Sequence, residues 1–244
     1  VFHRSGFTTT PSYSGMQWHG DQTVTWDRYD GLASALHGLH NGGFSGIALN
    51  HSDAGGYTVV PLVDPPVERT PELLMRWVEM NAFTAVLRTH EGNQPAVNAQ
   101  VWSSDMLADH FARFARIYRA LATIRRPLFD EAAQRGWPVV RHLAMHYPDV
   151  ARAWDVHDQF LLGPDLLVAP VLEACADPDA CSVTRAVWLP PGTCVHAWSR
   201  TGYEAGDDGL DLEVSAPLGE PAVFARQGSQ AADVLAAFDV GGEG

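Results

Sequence analysis

Short apolar runs alternate with amphipathic helical patterns over about the first 160 residues, and this alternation limits the possible folds more than any other feature. The runs lie at residues 47–49, 85–87 and 139–144. Strands separated by helices at this spacing are typical of βα units, which assemble into a parallel sheet. An α/β architecture is therefore expected over this part of the chain.

Capping signals and apolar periodicity place the helices between these runs. Four helices are expected, over about residues 30–39, 70–80, 105–121 and 127–135. Asp30 is the predicted N-cap of the first, and a Gly-Gly pair is expected to end it. Thr70 followed by a proline is a typical helix start, as is the Ser-Ser-Asp sequence that precedes the third helix.

The pattern changes after about residue 165. Short apolar strands separated by Pro-Gly and Gly-Asp turn signals follow, at 166–170, 186–189, 194–198, 210–214 and 222–224. Such a series is typical of an antiparallel β module. We therefore expect two domains, 1–164 and 165–244, with a short helix at 231–238 near the end of the second.

The charge balance excludes several classes of function. The chain carries 16 basic and 29 acidic residues, for a net charge of −13, and every basic residue is arginine. A chain this acidic is not expected to bind nucleic acid or an anionic membrane surface. Without lysine it cannot form a Schiff base.

Cysteine is sparse, with only Cys175, Cys181 and Cys194. Three cysteines do not make a disulfide framework, and none has the spacing of a zinc site. Cys175 and Cys181 flank a turn-like stretch and could pair. Free thiols are favoured because the rest of the chain has the character of an intracellular protein, and a cytoplasmic location is expected.

Polar residues follow the apolar runs, where parallel βα folds place their functional groups. The segments concerned are 18–22, 51–57, 88–93 and 142–147. We expect them to deliver Asp21, Asp53, Arg88 and histidines to one rim, beside the aromatic rings of Trp18 and Tyr57. Carboxylates next to aromatic surfaces suit a sugar, which presents both hydroxyl groups and an apolar ring face.

Structural explanations remain open for each of these residues. Asp21 also fits a helix cap, Asp53 a turn, and Arg88 with His90 a structural polar pair. Tyr57 also fits an aromatic residue whose hydroxyl group lies in bulk water. The other histidine pairs are expected to be structural: His37 with His40 on a solvated helix face, and His142 with His146 in the core or at the rim.

An ordered set of motifs runs along nearly the whole chain. It comprises Arg4-Ser5, Trp18-x-Gly20-Asp21-Gln22, Ser45-Gly46, His51-Ser52-Asp53-x-Gly55-Gly56, Glu79-Met80-x-Ala82-Phe83, Arg88-x-His90 and the segment 159–170. The set resembles glycoside hydrolase family 31, the α-glucosidase and α-xylosidase family. Within it the sequence is most similar to the sulfoquinovosidases, which release 6-deoxy-6-sulfoglucose, because Tyr57 follows the double glycine and residues 88–93 read Arg-Thr-His-Glu-Gly-Asn.

The resemblance implies a (β/α)8 barrel followed by β-sandwich domains. This chain would supply the C-terminal half of the barrel, about strands five to eight, and then a sandwich. Asp21 matches the general acid/base of the family. The residues expected to bind substrate are Arg4, Trp18, Asp53, Tyr57, Arg88 and His90, with Tyr57 helping to hold the sulfonate. The implied reaction needs no metal and no cofactor.

The sequence also departs from the family pattern. The family nucleophile is an Asp on an earlier strand, and no matching segment precedes Val1. We therefore expect a fragment of a retaining α-glycosidase that acts on a small glycoside and needs the missing N-terminal half of the barrel as its partner. Ala54 replaces the usual isoleucine, a small loss of packing.

Other functions remain open at this stage. The same family includes α-glucosidases and α-xylosidases, and the chain also fits a non-catalytic truncated product or one partner of a split enzyme. A metal-dependent hydrolase would use His51, Asp53, His90 and Glu91. The residues taken alone pair Asp21 with Asp53 as acid and nucleophile, whereas the resemblance places the nucleophile elsewhere.

Overall fold

The computed structural model describes residues 2–176 and 181–237. The helices are α1 (Leu32–Phe44), α2 (Pro71–Asn81), α3 (Asp105–Ala120), α4 (Ala122–Arg135), α5 (Ala151–Asp155) and α6 (Gln230–Ala236). The strands are β1 (Gln17–Trp18), β2 (Asn50–His51), β3 (Val140–Arg141), β4 (Phe160–Leu162), β5 (Leu166–Ala169), β6 (Ser182–Leu189), β7 (Gly192–His196), β8 (Gly202–Ala205), β9 (Leu210–Pro217) and β10 (Ala222–Arg226). Short 3-10 turns lie at Thr10–Ser12 and Leu143–Met145.

The first part of the chain contains the expected parallel arrangement. Strand β1 pairs in parallel with β2. Single parallel bridges extend this pairing on both sides, from His3 to Gln17 and from Ala54 to Thr89. Four successive chain segments therefore run side by side in the same direction, and their carboxyl ends meet at one edge.

The third apolar run, at 139–144, was expected to continue this parallel sheet, and that expectation is wrong. Val139 donates a hydrogen bond to the Ala48 carbonyl at 3.1 Å, but the next two residues form β3, which pairs antiparallel with β4. Both strands are buried throughout. An apolar run of this kind predicts a buried strand without fixing the direction of its partner.

Helix α1 differs from its prediction at both ends. Asp30 does not cap it, because the carboxylate accepts hydrogen bonds from the backbone N and the Oγ1 of Thr23, at 3.1 and 2.6 Å. The helix also runs through Gly42 and Gly43 to Phe44. A Cβ on Gly42 would lie 2.1 Å from the Asn50 side-chain nitrogen, so this glycine allows a close approach to β2 where it was expected to end the helix.

The predicted starts of α2 and α3 are confirmed. Thr70 Oγ1 accepts a hydrogen bond from the Leu73 N–H at 3.2 Å, and Ser104 Oγ accepts one from the Leu107 N–H at 3.3 Å. Helix α4 begins five residues before Pro127, its predicted first residue, because the end of α3 passes almost directly into it.

The second part of the chain contains a six-stranded sheet with the order β3-β4-β5-β10-β7-β8, in which every neighbouring pair is antiparallel. Strands β6 and β9 form a separate antiparallel ribbon. The five predicted strands are all present, whereas β4 and β8 were missed. A core that includes Leu167, Trp188 and Phe224 joins residues of the sheet and the ribbon. The predicted terminal helix is α6, and Phe238 lies outside the described residues.

The expectation of three free thiols is wrong, because Cys175 and Cys181 form a disulfide. Their Cα atoms lie 5.3 Å apart, within the usual range for a disulfide. Residues 177–180 lie outside the described residues. Cys194 is buried with a free thiol. Among the helices that the structure describes, none is long and apolar enough to span a bilayer.

Candidate functional site

The carboxyl ends of the parallel segments bring together most of the residues singled out from the sequence. The centre of the group is the ion pair between Arg88 and Asp53, whose Nη2 and Oδ1 atoms are 2.9 Å apart. The Arg88 guanidinium also lies over the rings of Phe2 and Trp18, 5.0 and 5.5 Å from their centroids. Four neighbouring segments thus contribute to one polar and aromatic cluster.

Asp53 is a deeply buried carboxylate, with only 1% of its surface exposed. Burial raises the pKa of Asp53, an effect that the charge of Arg88 partly opposes and that the charge of Asp21 reinforces. The buried Trp18 indole N–H lies beside this carboxylate, and its hydrogen bond also lowers the pKa of Asp53. A carboxylate has more lone pairs than Arg88 and Trp18 occupy, so Asp53 can accept further hydrogen bonds from a polar ligand.

His51 lies on the other side of Arg88 and is neutral at physiological pH. Its Nε2 atom is 3.4 Å from Arg88 Nη1. Burial, followed by the charge of Arg88, lowers the pKa of His51 to about 4. The positive charge at this point of the cluster is thus carried by Arg88.

Asp21 lies at the more accessible side of the cluster, where it pairs with Arg4. Arg4 Nη2 is 3.3 Å from Asp21 Oδ2, and 30% of the Asp21 side chain is exposed. Thr58 anchors the loop around Asp21, because its Oγ1 donates a hydrogen bond to the Asp21 carbonyl at 2.7 Å. Gly20 adopts a φ of +94° immediately before Asp21, a conformation that favours glycine.

Tyr57 and His90 form an edge-to-face pair with their ring centroids 4.8 Å apart. The Tyr57 N–H donates a hydrogen bond to the Gln22 carbonyl at 2.7 Å, which ties this residue to the loop of Asp21. His90 Nδ1 accepts a hydrogen bond from the Gly92 N–H at 3.1 Å. In the neutral His90 ring the proton therefore resides on Nε2, where it is available for donation.

The structure thus connects Arg4, Trp18, Asp21, Asp53, Tyr57, Arg88 and His90 through ion pairs, ring contacts and hydrogen bonds, and their individual roles stay predictions. His142 was expected in the core or at the same rim, and the structure buries it in the core with 4% of its surface exposed. Its ring lies 4.9 Å from that of His40 and 5.7 Å from that of His157. The antiparallel pairing of β3 carries the following His142 away from the parallel strand ends.

The expectation that His40 lies on a solvated helix face is also wrong. His40 is only 4% exposed, and burial together with the neighbouring His142 lowers its pKa to about 3. Side chains of α1 and of the segment after β3 enclose His40. The spacing of residues along a helix does not indicate which of its faces the rest of the fold will cover.

Sequence reasoning missed two residues of the cluster region. Phe2 forms the apolar wall beside Arg88, and Arg69 lies buried beneath the loops that carry Tyr57 and His90. In the sequence, Arg69 stands out only by its position directly before the helix N-cap Thr70, and that position does not by itself indicate a function.

The metal-hydrolase alternative has no matching ligand set at the strand ends within the part of the chain that the structure describes. Among the described residues, the one group of potential metal ligands with its donor atoms within 4.8 Å of one another is Glu72 with Cys175 and Cys181. It lies at the start of α2, and both of its sulfur atoms belong to the disulfide.

Two family models match the chain in sequence. Residues 1–131 match the glycosyl hydrolases family 31 TIM-barrel domain, and residues 136–229 match the family 31 C-terminal domain. The chain belongs to glycoside hydrolase family 31. The resemblance noted from the motifs is thereby confirmed, together with a barrel-type domain followed by a domain with an antiparallel sheet. The two matches meet between residues 131 and 136, and the domain boundary near residue 164 stays a prediction.

Several family 31 relatives are similar to this chain. It is 43% identical over 229 residues to a sulfoquinovosidase of Agrobacterium fabrum, covering 93% of this chain and 32% of the relative. It is 40% identical over 244 residues to a sulfoquinovosidase of Escherichia coli, covering 97% of this chain and 33% of that relative. The chain thus spans about a third of the length of these curated relatives.

A solved family 31 structure has the same architecture. The sulfoquinovosidase from E. rectale in complex with the aza-sugar inhibitor IFGSQ superposes with a TM-score of 0.87 at 39% sequence identity. The superposition covers 96% of this chain and 33% of the other.

Proposed function

We propose that this chain carries the acid/base and most of the sugar-binding residues of a retaining α-glycosidase of the sulfoquinovosidase type. The observation that carries the proposal is the buried Asp53 carboxylate, which pairs with Arg88 and lies beside the buried Trp18 indole N–H. Sugar hydroxyl groups would donate hydrogen bonds to the remaining lone pairs of Asp53.

Asp21 is the proposed general acid/base. It is the more accessible of the two carboxylates, so it can meet both a glycosidic oxygen and an incoming water. In the first step Asp21 protonates the leaving oxygen, and in the second it removes a proton from the attacking water.

Asp53 is not the proposed nucleophile. The Arg88 guanidinium occupies one side of its carboxylate, and an arginine-paired carboxylate is a weak nucleophile and a good holder of substrate hydroxyls. The retaining mechanism needs a second carboxylate about 5–5.5 Å from the acid. We assign that group to a part of the enzyme outside this chain, in accordance with the family resemblance.

The sulfonate preference is supported by the relatives and by the charge of the site. Asp53, Arg88 and the buried Arg69 together have a net positive charge within a chain of −13. A local positive charge in a partly buried cleft attracts an anionic substrate group even though the whole chain repels it at long range. Tyr57 and His90 add donors at the same face.

The finer architecture belongs to the same proposal. The chain is proposed to supply strands five to eight of a (β/α)8 barrel as residues 1–164, with a β-sandwich domain as residues 165–244. The parallel segments support the barrel part and the two-sheet core supports the sandwich, while the antiparallel sheet already begins at β3, before residue 165. The partner would be the N-terminal half of the barrel, and the location cytoplasmic.

A chimera tests the proposal. This chain would replace the matching region of the Agrobacterium fabrum sulfoquinovosidase, and hydrolysis of an aryl α-sulfoquinovoside and the matching aryl α-glucoside would be measured. We expect turnover with a preference for the sulfoquinovoside. A folded but inactive chimera would favour a non-catalytic chain, and a preference for the glucoside would favour a plain α-glucosidase.

A further inference from the structure

Arg69 lies immediately before Thr70, the N-cap of α2, and its side chain points away from solvent with 2% of the residue exposed. Every hydrogen-bond partner found for its guanidinium among the described residues is neutral. The acceptors are the carbonyls of Ala99 (2.7 Å), His90 (2.8 Å), Gly56 (3.2 Å) and Glu91 (3.4 Å) and the Gln100 side-chain oxygen (2.9 Å).

Three of these acceptors, Gly56, His90 and Glu91, belong to the two loops that form the site, whereas Ala99 and Gln100 lie in the segment that leads to α3. Gly56 directly precedes Tyr57, and the carbonyl of His90 is bonded by the same Nη1 atom. One planar group therefore fixes the backbone under both members of the Tyr57–His90 pair. A guanidinium suits this task because its five N–H groups point outward in a rigid plane.

The loop after His90 has further support from the same network. The Glu91 carbonyl accepts hydrogen bonds from Arg69, Asn98 and Gln100. The Asn98 side-chain oxygen in turn accepts from the Arg69 backbone N–H at 3.0 Å. Removing the guanidinium would therefore leave several buried or partly buried carbonyls without their charged donor.

The first glycine of the double-glycine motif makes room for Arg69. A Cβ on Gly55 would lie 2.5 Å from Arg69 Cδ, and Gly55 adopts a φ of +89°. The side chain of Arg69 thus packs directly beneath the loop that leads from Asp53 to Tyr57, and only a glycine leaves space for it.

Arg69 is charged at neutral pH. Burial lowers its pKa to about 10, and the carboxylate of Asp53 opposes this effect. The carboxylate whose charge acts on Arg69 is thus a residue of the site itself, and this cation lies behind the face formed by Tyr57 and His90.

We propose that Arg69 is a positioning residue, which holds Tyr57 and His90 in register and thereby shapes the subsite for an anionic sugar substituent. The positioning itself rests only on the contacts above, and its consequence for substrate binding rests on the proposed function. Arg69 does not need to touch the substrate.

The first test uses this chain alone. The edge-to-face contact at 4.8 Å should give the His90 ring protons a ring-current shift from Tyr57, measurable by NMR against a Tyr57→Leu reference. Arg69→Lys should move the His90 signals towards those of the reference, because an ammonium group cannot bond all five acceptors. Arg125→Lys is the matched control. Arg125 is also 2% exposed and bonds the carbonyls of Tyr118 and Ala82, away from the site.

A second variant covers the case in which Arg69→Lys does not fold. Gln100→Leu removes one acceptor of Arg69 and one donor to Glu91, so it should move the His90 signals in the same direction by a smaller amount. Unchanged His90 signals in a folded Arg69→Lys, or in Gln100→Leu if the first is unfolded, would overturn the positioning role.

The second test uses the chimera described above. Arg69→Lys should raise the KM for the sulfoquinovoside by about tenfold or more and leave kcat within about threefold, because positioned binding groups are lost and the acid is not. Arg125→Lys should leave KM unchanged. An unchanged KM with moved His90 signals would overturn the link to substrate binding, whereas an inactive parent chimera would overturn the proposed function alone.

Discussion

Arg76 Nη1 and Glu79 Oε2 lie 2.9 Å apart, one turn along α2, and both side chains are almost completely buried. The second Glu79 oxygen accepts a hydrogen bond from the Gly219 N–H at 2.7 Å, and Arg76 donates to the Ala216 carbonyl at 2.9 Å. The pair therefore fastens a helix of the barrel-type domain to the end of β9 and the turn that follows it.

Breaking this pair should be costly. Glu79→Gln would leave the buried Arg76 without its counter-charge, and we expect the free energy of unfolding to fall by about 3–5 kcal/mol, measured by urea denaturation. Asp211→Asn is the control, because it breaks the exposed Arg152–Asp211 pair, which has the same 2.9 Å separation. That change should cost about 0–1 kcal/mol. Equal losses would mean that burial of the first pair contributes nothing.

The acid role of Asp21 predicts a dependence on the leaving group. In the chimera, Asp21→Asn should slow hydrolysis of alkyl glycosides by about 10²–10⁴-fold and that of activated aryl glycosides far less, because a good leaving group needs little protonation. Rates would be compared over a series of leaving groups.

Asp53→Asn separates the two carboxylates. With Asp53 as a substrate-binding residue, the variant should still be labelled covalently by a mechanism-based inhibitor. A folded Asp53→Asn chimera that can no longer be labelled would identify Asp53 as the nucleophile. For the Asp21→Asn variant described above, equal rate losses with alkyl and activated aryl glycosides would show that Asp21 is not the acid.

Tyr57→Phe tests the sulfonate preference. A hydrogen bond to a charged group contributes about 1.5–3 kcal/mol, so the variant should lower kcat/KM for the sulfoquinovoside by about ten- to a hundredfold. The much slower reaction of the matching α-glucoside, which has no sulfonate, should barely change. A parallel loss for both substrates would show that Tyr57 acts through packing.

The buried histidines predict acid sensitivity. Burial is the main cause of the lowered pKa of His19, His51 and His110, each to about 4, and of His40, to about 3. In the unfolded chain these histidines have their ordinary pKa near 6.5, so the unfolded chain binds protons that the folded chain does not. Their contribution to the free energy of unfolding is therefore fully present above about pH 6.5 and is lost as the pH decreases towards 4. Each such group should cost about 2 kcal/mol between pH 7 and pH 5.

His40 isolates this effect. His40→Gln should reduce the loss of unfolding free energy between pH 7 and pH 5 by about 2 kcal/mol, measured by denaturation at both pH values. A pH dependence that His40→Gln leaves unaltered would show that His40 takes up its proton as readily in the folded state as in the unfolded chain.

Six of the seven residues of the cluster were predictable as a group because their positions follow a rule of topology, whereas Arg4 was indicated only by the family resemblance. The segments that carry them follow apolar runs, and parallel strands deliver their carboxyl ends to one edge. His142 followed an apolar run as well, yet β3 pairs antiparallel with β4 and carries it to His40 instead. The runs of the parallel segments and the run that contains β3 are alike in being apolar. Only the partner strand decides whether the pairing is parallel or antiparallel.

Local sequence by itself determined the helix starts at Thr70 and Ser104, because the capping side chain and the N–H that it accepts from lie three residues apart. Tertiary structure alone decided that α1 runs through two glycines, that Cys175 and Cys181 pair, and that Arg69 joins the loops of Tyr57 and His90. These features depend on atoms brought together from distant parts of the chain. A buried cation is tolerated only where folding surrounds it with acceptors, and no local pattern records which acceptors those will be.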